Sequence, residues 1–178
     1  MLLAGSPRAP RVVDRRTIAL SDASVPTSRQ PYHAVMGARP NDAPKVERRL
    51  RAIVQRVTRR SLTALLREYR GTRRIRGLAL VVGSTIDPAT IGNDHIRAHA
   101  LEGQLFRTAL EGAARADHLP CTTHVERALY DTAAARLKRP ATAIKGVAAE
   151  LGRAVDGPWR ADEKTATVAA WLMLRSAH

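Results

Sequence analysis

Gly77-Leu-Ala-Leu-Val-Val-Gly83, followed by Ser84–Pro88 and then His95-Ile-Arg-Ala-His99-Ala-Leu-Glu102-Gly103, is the stretch that decides the fold. The aliphatic run is free of charge and closed by glycine at both ends, which reads as a strand buried on both faces of a parallel or mixed sheet. Beyond it, Asn93 or Asp94 is expected to cap a helix reaching about Asp117. That helix has one apolar strip through Ile96, Ala100, Gly103, Phe106, Leu110 and Ala113 and a second through Leu101, Leu105 and Ala109.

Working towards the N-terminus, a long helix is expected from Pro44 to about Arg70, with Asn41 or Asp42 as its cap. Val46, Leu50, Ile53, Val54, Val57, Leu65 and Leu66 repeat as one buried stripe. The other face carries Lys45, Arg48, Arg49, Arg51, Arg56, Arg59, Arg60 and Arg67, and Arg70, Arg73, Arg74 and Arg76 extend the charge towards the strand. Before this helix, Thr17–Leu20 and Tyr32–Met36 read as two short strands of a hairpin with a long loop. Residues 1–16 read as a flexible basic arm, leaving 17–178 as a single domain.

Towards the C-terminus, Leu119–Thr123 is a short strand candidate. Helices follow around Val125–Leu137 and Ile144–Val155, broken at Gly157-Pro158, and a last one opens at Asp162-Glu163.

The chain has 178 residues, 44% of them apolar but only 3% aromatic, and a formal charge of +14. Its core must therefore be aliphatic, and its charge points to a polyanionic partner, DNA or RNA. Scarce aromatics argue against single-strand binding by base stacking. Lone Cys121 excludes an internal disulfide and a cysteine-rich zinc site. No apolar stretch approaches the ~18 residues of a membrane helix, so no membrane partner and a cytoplasmic location are expected.

Three constellations bear on chemistry. His95, His99 and Glu102 share one side of a helix; two imidazoles a turn apart can chelate a divalent ion. The bland alternative is a histidine at the core edge, because Ile96, Gly103 and Phe106 flank His99. Acids at element ends form the second group: Asp22, Asp87, Asp162 and Glu163 could hold Mg²⁺ for attack on a phosphodiester if the fold brings them together. Taken singly, Asp22 and Asp87 are turn formers and Asp162 a helix start. The basic helix is the third, with Arg48, Arg49, Arg56, Arg59, Arg60, Arg73 and Arg74 as phosphate contacts; its bland alternative is a solvated helix face whose arginines reflect compositional bias. Phosphate-binding glycine loops and nucleophile elbows are absent from the sequence.

The order of elements resembles the RNase H-like superfamily and, within it, the RuvC-like Holliday-junction resolvases. The resemblance rests on Ile18-Ala-Leu-Ser-Asp22-Ala-Ser24, Tyr32–Met36, Pro44–Tyr69, Leu78–Val82, His95–Arg115, Leu119-Pro-Cys-Thr122 and Asp162-Glu-Lys-Thr-Ala-Thr-Val-Ala-Ala170. It implies an α/β fold with a mixed central sheet flanked by helices. It also implies a two-metal nuclease site at Asp22 and Asp162 or Glu163. A metal-dependent, structure-selective endonuclease is then expected, with Asp22 and Asp162 as Mg²⁺ ligands and Asp87 or Glu163 auxiliary, and a homodimer is one expected assembly. Two positions depart from the family pattern: Gly83-Ser84 stands where a catalytic Glu would follow the central strand, and Thr165 where a second terminal acid would lie. The alternative function is a catalytically inactive nucleic-acid-binding or protein-interaction module on the same fold.

Overall fold

A computed structural model describes residues 1–175, so 176–178, the end of the expected domain, lie outside the described residues. The chain is of mixed α/β class and forms two compact units, each assembled from separate stretches of sequence.

One unit comprises 1–17, 76–83 and 119–178. Its strands are β1 (Leu2–Gly5), β2 (Pro10–Asp14), β3 (Leu78–Val82) and β4 (Cys121–Val125). The aliphatic run is β3, as expected, and it pairs in parallel with β4 in register from Leu78↔Cys121 to Val82↔Val125. Among the described residues β3 has no second partner strand, and only Leu80 is fully buried. The expected broad central sheet is thus a two-stranded one. Gly77 permits the entry into β3, since a Cβ there would press on the Met173 Cε and lie 3.2 Å from the Pro120 carbonyl oxygen.

β1 and β2 form an antiparallel hairpin in place of the expected flexible arm. Gly5 turns it at φ +98°, a left-handed conformation that a side chain would resist. Three helices complete this unit: α4 (Glu126–Leu137), α5 (Ala141–Leu151) and α6 (Ala161–Arg175). Leu129, Ala133, Ile144, Ala148, Val168, Ala169, Trp171 and Leu172 form their common core, with Leu3, Ala79 and Val81 packed against it. The Trp171 ring is wholly buried, and its Nε1–H donates to the Pro7 carbonyl at 2.9 Å, which docks the hairpin turn on α6.

The other unit comprises 18–75 and 84–118 and is helical. It holds α1 (Pro31–Met36), α2 (Ala43–Arg70) and α3 (Asp94–Ala116). Thr17–Leu20 is not a strand, and Tyr32–Met36 lies in a helix, so the expected hairpin is absent. The reason is local. Ser28, fully buried, accepts from the Asp22 N–H and donates to the Val25 carbonyl, folding 22–30 into a closed loop. Pro31 then occupies the first turn of α1, where a missing N–H costs nothing.

α2 matches the expected helix, but its buried stripe runs through Leu50, Ile53, Val54, Thr58, Leu62 and Leu66. α3 is capped as expected, the Asn93 side chain accepting from the Ile96 N–H at 3.0 Å. Leu105 and Ala109 of the second apolar strip meet Val54, and the first strip is divided: Phe106 packs against that cluster and Ala113 is buried, whereas Ile96 is 56% exposed. At the far end Asp117 accepts from Thr63 Oγ1 at 2.7 Å and pairs with Arg70 at 3.3 Å, joining the C-terminal turns of α2 and α3.

Candidate functional site

His95 and His99 stand one turn apart on the first turns of α3, and α1 brings His33 against them. The three ring centroids are separated by 4.8, 4.4 and 4.8 Å. Each ring offers a nitrogen within 4.8 Å of the others. This is the group among the described residues that could hold a metal ion through histidine.

Glu102 is not a third ligand beside them, as its spacing suggests, but lies beneath. It is 6% exposed, and its Oε1 sits 2.8 Å from His33 Nδ1 and accepts the His33 backbone N–H at 3.3 Å. Its Oε2 lies 3.7 Å from His99 Nδ1. A carboxylate can only accept, so in a neutral His33 imidazole the proton sits on Nδ1 and Nε2 is left as an acceptor. That Nε2 is buried and without a hydrogen-bond partner. His99, with 53% of its side chain exposed, is no core-edge residue. The N-terminal end of α3 disfavours a cation by about 0.3–1 kcal/mol, and the Glu102 carboxylate beneath the rings counters that.

Matched against known proteins, the chain finds no family model, no curated protein and no solved structure. The functional reading therefore rests on geometry.

The carboxylates expected to form a Mg²⁺ site fall in both units: Asp22 and Asp87 in the helical one, Asp162 and Glu163 in the other. Asp22 Oδ1 accepts from the Ser24 N–H at 3.0 Å and the Ser24 hydroxyl at 2.6 Å, bonds that hold its carboxyl below the usual range. Arg56 stands 3.8 Å from its Oδ2 and places a positive charge where a cation would sit. These surroundings fit a turn-forming acid better than a Mg²⁺ ligand, which needs several oxygen neighbours. Asp87 accepts from the Ala89 N–H at 3.0 Å and caps a short turn at Pro88–Thr90. Glu163 accepts from the Arg160 N–H at 2.9 Å, which with Arg15 lowers its carboxyl, and Asp162 is exposed on the first turn of α6.

The arginines of α2 lie as expected. Opposite the buried stripe, Lys45, Arg48, Arg49, Arg56, Arg59, Arg60 and Arg67 are exposed, and Arg73 and Arg74 follow. Arg48, Arg49, Arg59, Arg60, Arg73 and Arg74 pair with no acid among the described residues. Arg51, exposed as well, pairs with Glu47 at 3.1 Å. Both line a cleft of about 1030 Å³ between the helices, together with Tyr32, Arg97, Leu101 and Leu105. No helix among the described residues is long and apolar enough to cross a membrane.

His33 is not legible as a partner of His95 and His99 in the sequence, because Tyr32–Met36 has the pattern of a short strand. Pro31 at a helix first position was the available signal.

Proposed function

We propose that the protein binds nucleic acid through the outward face of α2 and the segment that follows it, with Arg48, Arg49, Arg56, Arg59 and Arg60 of the helix and Arg73 and Arg74 beyond it on phosphates. The carrying observation is that this face holds a line of exposed guanidinium groups almost free of acidic partners, on a rigid helix about 42 Å long at 1.5 Å per residue. Unpaired cations at one- and two-turn spacing meet a backbone of regularly spaced charges and release its counterions on contact. Guanidinium forks suit phosphate oxygens better than lysine ammonium groups do.

Binding without cleavage is the favoured form of this reading. Asp22, Asp87 and Glu163 each have a local partner that accounts for them, and two carboxylates of the family pattern are missing from the sequence. The kinship to RNase H-like nucleases draws its support from the parallel β3–β4 pair, whose connection runs through the long helix α3. A Mg²⁺-dependent endonuclease is the second reading, carried by that crossover.

The test is the salt dependence of duplex DNA binding. The apparent affinity should fall with a log–log slope of about −0.9 per phosphate contact. An Arg49→Ala, Arg56→Ala, Arg60→Ala variant should flatten the slope by about 2–3. Replacing three exposed arginines of the other unit, Arg127, Arg136 and Arg153, should leave it nearly unchanged. Equal losses in both variants would show that charge alone, not this face, drives binding.

A further inference from the structure

We infer that His33, His95 and His99 form a binding site for a divalent transition-metal ion of the zinc class, with Glu102 as the carboxylate that orients it. The site uses none of the α2 arginines, so it stands or falls separately from nucleic-acid binding.

Four observations converge on this site. Three imidazoles from two helices crowd within 4.8 Å, a packing with no need of three titratable rings if apolar contact were its only purpose. Glu102 stands behind two of them, at 2.8 Å from His33 Nδ1 and 3.7 Å from His99 Nδ1. A carboxylate on the far nitrogen is the usual device for fixing a ligating histidine's tautomer and raising its basicity. The freed His33 Nε2 is buried and unpartnered, a costly state that coordination would relieve. Finally, His95 and His99 are exposed, so an ion has a way in from solvent.

The donor set decides the class of ion. Neutral imidazole nitrogens favour Zn²⁺, Co²⁺, Ni²⁺ or Cu²⁺ over Mg²⁺, which prefers oxygen ligands. Zn–N bonds of about 2.0–2.1 Å in a tetrahedral site bring ligand nitrogens to about 3.3 Å apart. The rings must therefore close by up to about 1.5 Å relative to the 4.8 Å separation. Rotation of the two exposed side chains supplies that movement, while His33 stays held by Glu102. Three protein ligands would leave a fourth position for water, the arrangement of catalytic rather than structural zinc sites.

The experiment uses the full chain, freed of metal by chelation and titrated with Co²⁺ and then Zn²⁺. Co²⁺ should produce the intense visible absorption of a tetrahedral site, and Zn²⁺ should displace it. The exposed substitutions His95→Ala and His99→Ala should each abolish the band without altering the far-ultraviolet circular dichroism. Glu102→Gln should weaken binding by about 10–100-fold. Zn²⁺ should also raise the Tm of the native chain by mass action and leave that of the His95→Ala, His99→Ala variant unmoved. The proposal is overturned if native and double-variant proteins bind Co²⁺ alike, if the native chain shows no band, or if His118→Ala, at a histidine outside the cluster, removes it as well. An equal Tm rise with Mg²⁺ would overturn the assigned class of ion.

Discussion

His33 and Glu102 tie α1 to α3 through two hydrogen bonds on one oxygen: ring Nδ1 at 2.8 Å and backbone N–H at 3.3 Å from Oε1. The carboxylate is almost fully covered, so its charge is stabilised by these donors instead of by water.

Removing that carboxylate should loosen α1. Glu102→Leu leaves the His33 donors without their acceptor and should cost about 1–3 kcal/mol, a fall in Tm of about 2–4 °C for each kcal/mol in a chain of this size. A double-mutant cycle with His33→Ala, followed by urea denaturation, should show coupling of about 0.5–3 kcal/mol. Strict additivity would mean the two side chains do not support each other.

Trp171 should matter both as a ring and as a donor. Trp171→Ala empties the centre of the core around α6 and should cost about 3–5 kcal/mol. Trp171→Phe keeps most of the apolar volume but orphans the Pro7 carbonyl, for about 1–3 kcal/mol. Hydrogen exchange in Trp171→Phe should rise first in β1 and β2. Unchanged protection of that hairpin would show that the 2.9 Å bond does not dock it.

Acid should weaken the unit that holds β4. Burial, reinforced by Arg136, holds the His124 imidazole below the ordinary histidine range. The unfolded chain takes up that proton first, at a pH of about 6.5. Stability from this residue is therefore complete above that value and declines as pH falls towards the lower folded value. Melting curves of His124→Leu should lose this part of the slope, and a slope identical to the native one would assign it to other groups.

Asp22→Asn discriminates binding from cleavage. The amide oxygen can still accept from the Ser24 N–H, so the loop should keep its shape and the Tm should move by no more than about 1–2 °C. With Mg²⁺ and branched or linear DNA, the native protein and this variant should bind without cutting. Cleavage by the native chain that disappears in Asp22→Asn would instead establish the endonuclease reading.

Ser28→Ala should open the loop ahead of α1. The hydroxyl is buried and bridges the Asp22 N–H and the Val25 carbonyl, at 2.9 and 2.6 Å. Its loss should cost about 1–3 kcal/mol, visible as faster proteolysis between Asp22 and Gln30. Resistance equal to the native chain would mean the loop is held by other contacts.

Several features could be read from neighbouring residues alone. Asn93 capping α3, the apolar repeat of α2 and the glycine-bounded β3 are carried by signals within one or two turns of chain, where propensity and burial agree. The arginine face followed from the same repeat, since whatever opposes a buried stripe must meet solvent. Tyr32–Met36 shows where such reading fails: a short apolar run suits a strand or a helix equally, and the closed loop at 22–30 with Pro31 in the first turn goes with the helix.

Sequence by itself therefore determined the mixed class, the long basic helix and the β3 strand, because each is encoded by the spacing of adjacent side chains. Tertiary structure alone decided that β3 pairs, among the described residues, with β4 only, that residues 2–14 form a hairpin under Trp171, and that His33 joins His95 and His99 over Glu102. Those outcomes depend on which distant surfaces can share buried area and hydrogen bonds, and no periodicity along the chain records that choice.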